Sequence, residues 1–575
     1  MVNAELADSF ERVADLMEIL GEDRFRVNSY RRVARTIGDL TEDIAAIARE
    51  KRLTDLPGIG KGTAEKIEQY LASGKLAVLE ELQAKVPPGL STLLAIPGLG
   101  PKKAALVWKE LNVTSLDDLK RVIASGQMAT LPGLGAQSVK KIADGIAFLE
   151  SSGQRVPLGV ALPLAEAIAA DVRKLAGVKQ VEIAGSLRRG QETIGDIDLL
   201  CRADDGAAVI TAFTRLPMVT QVLASGDTKG SITTTIAGGQ QVQIDLRVVP
   251  DESFGAAWQY FTGSKEHNIR LREMAIKRGW KLNEWGLFDG DKPLAGKSEA
   301  DIYKRFGLPL FPPELRQDRG EFDLKEAPEL IALDDIRGDL HTHTTASDGR
   351  ATIEEMAEAA KARGYEYICI TDHSKSSVIA NGLTVERMEH HIVAIRAADQ
   401  RIKGIAILVG CECDILPDGT LDYPDELLRQ CDLVVASIHS AQSGGKRTPT
   451  ERTLAAIENP WVTIIGHPSG RLINRRKAMD LDMGAIVAAA AKSHTVLEIN
   501  ASWQRLDLKD LHARQAIEAG VTLAIDTDAH SIDQLDQMRF GILTARRAGV
   551  APKHVLNTKP LKSLRSFIAK KRAAG

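Results

Sequence analysis

The sequence has 575 residues, of which 44% are hydrophobic and 26% charged, and its net charge is −3. Such a chain is too apolar to be mainly disordered and long enough for several packed domains. Its five cysteines show no CxxC spacing, no apolar run approaches the roughly 20 residues that span a bilayer, and the N-terminus lacks a secretion signal. We therefore expect a reduced, cytoplasmic, multidomain protein without membrane contact, with a monomer as the default state.

Three segments early in the chain share the pattern apolar-Pro-Gly-apolar-Gly followed by a helical pattern. They are LPGIGKGTAEKI from Leu56, IPGLGPKKAALV from Ile96 and LPGLGAQSVKKI from Leu131. The glycines permit a tight turn whose N–H groups, with the next helix N-terminus, form an anion site of phosphate size. The pattern resembles the helix-hairpin-helix motif, which grips the DNA backbone without reading sequence. A purely structural role also fits the third copy. The expected DNA-binding residues are Gly58, Gly60, Gly98, Gly100, Gly133 and Gly135.

The stretch GSLRRGQETIGDIDLL, residues 185–200, follows a strand-like run and resumes as a strand at its end. The period of two puts Asp196 and Asp198 on one face. Two carboxylates about 4 Å apart repel by roughly 4 kcal/mol at an effective dielectric of about 20, a cost that a bound cation offsets. QVQIDLRVV supplies a third carboxylate, Asp245. Three convergent aspartates can hold two Mg²⁺ or Mn²⁺ ions. The alternative is that Asp196 and Asp198 face solvent from an edge strand.

This stretch and YFTGSKEHNIRLREMAIKRGWKLNEWGLF resemble a family X DNA polymerase, the group that contains DNA polymerase beta. The resemblance covers residues 1 to about 315. It implies that Asp196, Asp198 and Asp245 bind the catalytic metals, with Asp245 placed to assist deprotonation of the primer 3′-hydroxyl. Lys265 departs from the acidic residue of vertebrate members, which suggests tighter nucleotide binding. The implied nucleotide-binding residues are Gly185, Ser186, Arg189, Gly195, Tyr260, Phe261, Gly263, Lys265, Asn268 and Arg272.

The N-terminal segments FRVNSYRRVARTI and LPGIGKGTAEKI resemble the lyase domain of the same family. Lys66 aligns with the Schiff-base lysine that removes a 5′-deoxyribose phosphate. Tyr30 is kept, whereas Arg26 and Gly62 stand at positions where the family has lysines. The resemblance implies 5′-phosphate binding and leaves lyase chemistry open, because an exposed helix lysine fits the same pattern and a lysine nucleophile needs an activating environment.

The second part of the chain carries eleven of the twelve histidines, all after residue 335. A proline- and acid-rich stretch precedes it and predicts a linker over residues 316–335. Seven strand-like runs, from GDLHTHT to TLAIDTDAH, alternate with helical patterns and end in polar residues. In parallel α/β barrels such residues converge on one rim. The mixture of nitrogen and oxygen ligands suits Zn²⁺, Mn²⁺ or Fe²⁺ better than Ca²⁺.

Residues 336–575 resemble the polymerase-and-histidinol-phosphatase (PHP) domain, a family of metal-dependent phosphoesterases. The resemblance implies a centre of up to three Zn²⁺ or Mn²⁺ ions in which Glu412 bridges two metals. Arg471 either steadies a phosphate or is a surface arginine, and Cys411 and Cys413 are expected to be buried strand residues rather than ligands. The implied ligands are His341, His343, Asp348, His373, Glu412, His439, His467, Asp528 and His530.

Together these patterns predict a multidomain α+β and α/β protein. The expected domains are a lyase-like helical domain (1–85), fingers (86–152), a nucleotidyltransferase palm with a mixed sheet (153–250), a thumb (251–315), the linker (316–335) and a distorted (β/α)7 PHP barrel (336–575). The expected function is gap filling in base excision repair on gapped or primer-template DNA with deoxynucleoside triphosphates. The barrel would act as a 3′-5′ exonuclease, with cleavage at abasic sites or 3′-end processing as further options. The alternatives are a DNA-end-binding scaffold with weak polymerase activity and a barrel that hydrolyses small phosphomonoesters.

Overall fold

The computed structural model describes residues 2–38, 44–94, 96, 99–136, 138–140, 142–143, 146, 155–236, 240–442, 446–474, 476 and 478–574. The chain divides into two units. Unit 1 contains Met1–Gln154, Pro217–Ser225 and Ser231–Gln243, and unit 2 contains Arg155–Leu216, Gly226–Gly230 and Ile244–Gly575. Within these described ranges, no helix is both long enough and apolar enough to cross a bilayer.

The N-terminal region of unit 1 is helical, as predicted. Its first helix places Leu6, Phe10, Val13 and Met17 on one face at helical spacing, and all four are buried. A second core forms around Leu99, Val107, Leu119 and other apolar side chains farther along the chain. The α-helices are Val2–Leu20, Arg24–Gly38, Ile44–Arg49, Lys61–Ser73, Ala77–Gln83, Leu90–Leu93, Pro101–Leu111 and Leu116–Ala124, with 3-10 turns at Leu53–Asp55 and Gln127–Thr130.

The predicted palm contains a five-stranded sheet and a two-stranded ribbon. The sheet has the order β2-β4-β7-β6-β5, with β2 antiparallel to β4, and β1 pairs with β3. The strands are β1 (Val156–Pro157), β2 (Val178–Ile183), β3 (Thr193–Ile194), β4 (Asp196–Ala203), β5 (Gln221–Ser225), β6 (Lys229–Thr235) and β7 (Gln241–Val249). The helices are Leu158–Arg173, Gly185–Arg188 and Gly206–Phe213. Because β4 lies between two other strands, the edge-strand position proposed in the alternative is wrong, although Asp196 itself is exposed and Asp198 is half-buried.

The thumb follows with helices Phe254–Thr262, Lys265–Ile276 and Glu299–Phe306. A three-stranded antiparallel sheet of β8 (Trp280–Asn283), β9 (Gly286–Asp289) and β10 (Lys292–Ala295) joins them. The predicted linker forms only short 3-10 turns, as its composition indicated, yet it is packed. Arg316 and Glu321 within it are buried and pair with Glu299 and His267, respectively.

The C-terminal region is a parallel seven-stranded barrel, which confirms the predicted fold class. Adjacent strands pair in chain order, and a parallel bridge between Thr342 and Ala529 brings the first strand beside the last. The strands are β11 (Gly338–Thr342), β12 (Tyr367–Ile370), β13 (Ala406–Asp414), β14 (Leu433–Ser437), β15 (Ile464–Ile465), β16 (Val496–Asn500) and β17 (Leu523–Asp526). The helices are Ile353–Ala362, Val385–Arg401, Asp425–Leu428, Pro449–Glu458, Met483–Ser493, Asp510–Glu518, Met538–Arg547 and Leu561–Ala574.

Candidate active sites

The barrel rim gathers the predicted ligands at the carboxyl ends of the strands. His341 lies near the end of β11 and Glu412 near the end of β13, while the other ligands follow β11, β12, β14, β15 and β17 within a few residues. Parallel strands bring their carboxyl ends to one edge, so residues far apart in sequence meet there. The structure brings together the predicted set of His341, His343, Asp348, His373, Glu412, His439, His467, Asp528 and His530.

Among the described residues, three groups at this rim have ligand atoms within 4.8 Å of one another. One group contains Glu412 with three other residues and a second contains Glu412 with two histidines, so this carboxylate is shared. The groups are His341, His343, Glu412 and Asp528; His373, Glu412 and His439; and His343, Asp348, His373 and His530. His467 is joined to the set by Glu412, whose Oε1 lies 2.9 Å from His467 Nε2.

The donor atoms of these groups suit divalent cations. His341 Nε2, both ring nitrogens of His343, His373 Nδ1 and Glu412 Oε2 are buried and form no well-oriented hydrogen bond. His373 Nδ1 nevertheless lies 2.9 Å from Glu412 Oε2, and His343 Nε2 lies 3.1 Å from Asp528 Oδ1. Buried polar atoms are ordinarily satisfied, so such a concentration at one place calls for a ligand. Imidazole and carboxylate groups gathered in this way suit divalent metal ions.

A second layer of carboxylates orients the imidazoles, and the sequence reasoning did not find it. Glu498 Oε1 lies 2.7 Å from His341 Nδ1, and Asp414 Oδ1 lies 2.5 Å from His439 Nδ1. A carboxylate on the second ring nitrogen fixes the tautomer and leaves the first nitrogen for a metal. Both acids lie on barrel strands. Asp414 follows Glu412 by two residues on β13, so the strand period alone could have placed it on the same face as this ligand.

The charges of this cluster are strongly coupled. Burial alone would raise the pKa of Glu412, but His439, His373 and His341 hold that pKa well below its usual range. Burial opposes protonation of His439, yet Glu412 and Asp414 raise the pKa of this histidine to about 10. A metal that binds His439 must therefore displace a proton from this imidazole.

The palm site is built around Asp198 on β4. A Cβ atom at Gly185 would lie 2.2 Å from Asp198 Oδ2, so the turn before β4 fits this carboxylate only with glycine, which also has φ +65°. Burial, together with the charges of Asp196 and Asp245, raises the pKa of Asp198 to about 7. Burial and Asp245 likewise raise the pKa of Asp196. These shifts indicate that the three predicted carboxylates interact.

A lysine accompanies the third aspartate. Asp245 is buried on β7, and its Oδ2 lies 2.5 Å from Lys229 Nζ. Among the described residues, the aspartate trio is not one of the groups whose ligand atoms all lie within 4.8 Å of one another. Lys229 therefore supplies positive charge next to a carboxylate that the sequence assigned to a metal, and the sequence reasoning missed this lysine.

The two arginines of the Gly185 turn have different surroundings. Arg188 makes a two-pronged pair with Glu299, at 2.8 Å for each bond, and its guanidinium stacks 3.5 Å from the Trp258 ring centre. Arg189 is half-buried and donates to the Thr262 carbonyl. Burial, with the nearby charge of Arg547, lowers the pKa of Arg189 to about 10. The Arg188 guanidinium is therefore occupied by contacts within the protein. The Nε atom of Arg189, in contrast, is buried and has no hydrogen-bond partner.

The remaining predicted nucleotide residues lie in and beside the turn and on the two thumb helices. Ser186 is half-buried in the turn, and a Cβ atom at Gly195 would approach Arg155 Nη1 at 3.3 Å. A Cβ atom at Gly263, where φ is +64°, would lie 3.2 Å from Arg189 Nη1, so this glycine adjoins the turn.

The side chains of the thumb segment differ in exposure. Tyr260 and Phe261 are half-buried and pack edge to face, 5.2 Å apart. Asn268 is buried, accepts a bond from Gln259 and donates to the Tyr260 carbonyl at 2.7 Å. Lys265 and Arg272 are exposed. The exposed pair is therefore open to DNA or nucleotide, while Asn268 fixes the segment.

The three glycine hairpins of unit 1 are closed by the same kind of backbone hydrogen bond. A backbone bond joins Leu56 O to Ile59 N at 3.1 Å, and equivalent bonds close the second hairpin at 3.0 Å and the third at 3.1 Å. Gly60 and Gly100 precede the following helices as N-cap residues, without a side-chain cap. Gly58 and Gly133 have φ +80° and +75°, whereas Gly98 lies outside the described residues. Gly135 accepts the first turn bond of its helix from Ser138 N at 2.8 Å.

Lys66 lies on the helix after the first hairpin. Its Nζ donates to the Gly62 carbonyl at 2.8 Å, and its side chain is half-buried. Tyr30 stacks on Phe10, and burial raises the pKa of Tyr30. Arg26 pairs with Glu22 at 2.7 Å on the surface.

Arg471 is largely buried, and the two cysteines beside Glu412 are fully buried. Arg471 is 12% exposed, pairs with Glu192 of the palm at 2.8 Å and donates to the Leu506 carbonyl. The surface alternative for Arg471 is therefore wrong, and its guanidinium joins the barrel to the palm. Cys411 and Cys413 are buried on β13 as predicted, and burial raises the pKa of Cys413 to about 12.

Comparison with known proteins divides the chain in the same way. Five family models match it: a helix-hairpin-helix domain over residues 1–76, a SAM-like helix-hairpin-helix tandem over 90–147, DNA polymerase beta palm over 155–254, DNA polymerase beta thumb over 257–317 and PHP domain over 339–502. The fold and its two sites thus define a polymerase of the DNA polymerase beta type joined to a PHP barrel.

Relatives give the particular family. The chain is 40% identical over 561 residues to the DNA polymerase/3′-5′ exonuclease PolX of Bacillus subtilis (strain 168), covering 97% of this chain and 98% of that protein. This chain belongs to the PolX family. The chain is also 31% identical over 248 residues to a probable phosphatase of Thermoanaerobacter sp. (strain X514), which is 41% of this chain and 96% of that protein. A probable phosphatase of Shewanella sediminis (strain HAW-EB3) is 30% identical over 243 residues, 40% of this chain and 94% of its own length.

Proposed function

We propose that this protein is a DNA-directed DNA polymerase that fills short gaps during base excision repair, and that its barrel is a metal-dependent 3′-5′ exonuclease. The observation that carries the proposal is the presence, in one chain, of an acidic palm site and a histidine-rich rim, in a sequence that aligns over nearly its whole length with a polymerase/exonuclease. Its substrates are gapped or primer-template DNA and deoxynucleoside triphosphates. The five free, buried cysteines suit a cytoplasmic setting.

In the palm, Asp196, Asp198 and Asp245 would hold two Mg²⁺ or Mn²⁺ ions. Such ions activate a hydroxyl and clamp phosphates for in-line displacement. Asp245 accepts the proton of the primer 3′-hydroxyl, or orients that hydroxyl. Arg189 and the backbone of the Gly185 turn bind the triphosphate, and guanidinium groups suit phosphate oxygens.

At the barrel rim, the nine predicted ligands would hold up to three Zn²⁺ or Mn²⁺ ions. Clustered cations lower the pKa of a bound water and neutralise a phosphodiester. Glu412 belongs to two of the ligand groups, and Glu498 and Asp414 fix the rings of His341 and His439. Removal of the terminal nucleotide leaves a 3′-hydroxyl that the palm can extend.

A primer assay tests both sites. A 5′-labelled primer on one-nucleotide-gapped DNA is followed for extension and shortening with Mg²⁺ or Mn²⁺. We expect Asp198→Ala to abolish extension alone and Glu412→Gln to abolish shortening alone, while His390→Ala, at an exposed histidine, retains both. If the primer is still shortened by the Glu412→Gln variant, the exonuclease site does not lie in the barrel.

A phosphomonoesterase role for the barrel is the second candidate, because two relatives that match about 40% of the chain are named probable phosphatases. Comparison of rates on p-nitrophenyl phosphate, on 3′-phosphorylated DNA and on 3′-hydroxyl DNA separates these roles. Abasic-site DNA in the same series tests endonuclease activity. A preference for the small monoester favours the second candidate.

For the N-terminal domain we propose 5′-phosphate binding, with Lys66 as the Schiff-base residue. Borohydride trapping on 5′-deoxyribose phosphate DNA should give a covalent adduct that Lys66→Ala abolishes. Lys61→Ala is the matched control, because Lys61 is an exposed lysine of the same helix. An adduct that persists in Lys66→Ala contradicts the assignment.

DNA contact by the hairpins is proposed on the backbone hydrogen bond that closes each of them. The helices after the first two hairpins begin at Lys61 and Pro101, and a helix N-terminus presents backbone N–H groups to an anion. Gly60→Pro removes one such donor and should weaken binding to gapped DNA, measured by fluorescence anisotropy. Gly60→Ala, which keeps the N–H at a position with no atom near its Cβ, is the control.

A further inference from the structure

The barrel helix Met538–Arg547 packs against the palm turn that begins at Gly185, and both belong to unit 2. A Cβ atom at Gly190 would lie 3.2 Å from Leu543 Cβ, so the turn and the helix are in close contact. Arg547 Nη1 donates to the Arg189 carbonyl at 3.1 Å. A residue of the phosphoesterase barrel thus bonds directly to the backbone of the turn assigned to the triphosphate.

Arg547 itself is held firmly in the barrel. Its Nη2 donates to Asp510 Oδ2 at 2.7 Å, and its side chain is 7% exposed. Asp510 also pairs with Arg319 at 3.2 Å. The Asp510 carboxylate therefore fixes the guanidinium, which in turn fixes the carbonyl of Arg189. A planar, two-pronged donor is well suited to such a link.

Arg188 also anchors the turn, through its pair with Glu299 and a bond to Thr262 Oγ1, whereas the backbone carbonyl of Arg189 is held by Arg547. Within the turn, Gly190 N donates to Leu187 O at 2.9 Å and Gln191 N donates to Ser186 O at 3.1 Å. Outside it, the Arg189 side chain donates to the Thr262 carbonyl of the thumb. The barrel contact through Arg547 thus restrains the backbone of the residue whose side chain is expected to meet phosphate.

We propose that Arg547 is a positioning residue for nucleotide binding, and that the barrel supports the polymerase site structurally as well as carrying its own chemistry. This inference rests on the proposed polymerase function and on the assignment of Arg189 to the triphosphate. Binding energy depends on preorganised donors, so loosening the turn weakens nucleotide binding before it affects the reaction of bound nucleotide.

The same helix offers a matched control. Arg539 also reaches the palm, where Nη1 lies 3.1 Å from Glu166 Oε2, but both side chains are substantially exposed and the pair does not involve the Gly185 turn. Exposed ion pairs contribute little. Arg539→Met therefore removes one arginine contact with the palm while leaving the turn supported.

The experiment measures steady-state single-nucleotide insertion on gapped DNA by the full-length protein. Arg547→Met keeps the aliphatic stem, and we expect it to raise the KM for the deoxynucleoside triphosphate about tenfold, the loss typical of one hydrogen bond made by a charged group. The kcat and the exonuclease rate should not change, and Arg547→Lys should give an intermediate KM. Arg539→Met should match the wild type.

Two results overturn the inference. An unchanged KM in Arg547→Met shows that the turn does not need the barrel arginine. A parallel fall in kcat, exonuclease rate and melting temperature shows a general structural role instead. Absence of insertion by the wild-type protein contradicts the proposed function itself and is thereby distinguished from failure of this inference.

Discussion

Replacement of Gly185 by alanine adds one Cβ atom next to Asp198 and so tests whether the position of this carboxylate controls nucleotide insertion. The new Cβ would lie 2.2 Å from Asp198 Oδ2 and 3.1 Å from both Cβ and Cγ of Asp198. Ordinary contacts begin near 3.4 Å, so the carboxylate must withdraw by about 1 Å. The backbone at Gly185 has φ +65°, which adds conformational strain for any residue with a side chain.

The two effects have different sizes and different readouts. The left-handed conformation costs about 1–2 kcal/mol of folding free energy for an L-residue. A displacement of about 1 Å in an active site can cost roughly 100-fold in rate. We therefore expect Gly185→Ala to lower the rate of nucleotide insertion by about 100-fold while the exonuclease rate is retained.

Gly177→Ala is the matched control for backbone strain. Gly177 has φ +80°, and no atom lies within 4 Å of the position that its Cβ would take. The assay is single-turnover extension of a gapped primer, with thermal melting of both variants alongside. If Gly185→Ala inserts nucleotide as fast as Gly177→Ala, the position of Asp198 does not control the reaction and the palm assignment fails.

Four further outcomes are expected. Glu498→Gln removes the charge that orients His341, so the affinity of the rim for Mn²⁺, measured by calorimetry, should fall about 10- to 100-fold. Because burial and neighbouring carboxylates raise the pKa of Asp198 to about 7, protons compete with Mg²⁺ below that pH. Below about pH 7, the affinity for Mg²⁺ should fall about tenfold per pH unit. In the metal-free protein, the protonated Asp198 carboxyl adds to the free energy of unfolding at low pH, and this stabilisation should be lost as the pH rises from about 4 through 7. Melting curves recorded at several pH values would show the loss. Lys265→Ala should raise the KM for nucleotide if this exposed lysine meets the triphosphate, and an unchanged KM would exclude that contact.

The sequence predicted the barrel and its ligands well because both follow from local patterns. Each strand-like run maps onto one strand of β11–β17, and every strand except β16 ends near a ligand. Alternation along a strand also placed Asp196 and Asp198 correctly on β4. These features need only the period of a strand and the rule that parallel strands end at one edge.

Residues whose role depends on distant partners were not predictable in this way. Glu498 becomes informative only when it is known to lie 2.7 Å from His341, which is 157 positions away. Lys229 reads as the first residue of an ordinary strand until Asp245 is found beside it. Pattern alone gives the faces of an element, whereas tertiary packing decides which charged groups meet.

Arg471 connects the barrel to the palm, although no sequence pattern indicated a contact between these two regions. Both readings considered from the sequence confined this arginine to the barrel, because it follows the ligand His467 by four residues. Its partner, Glu192, lies between the Gly185 turn and β4 of the palm. Asn474, in the same barrel loop, donates to the carbonyl of Arg155 at 2.6 Å. A loop that leaves a rim ligand and then bonds to the palm near its aspartates ties the geometry of one site to the other, so substitutions in this loop should be assayed for both reactions.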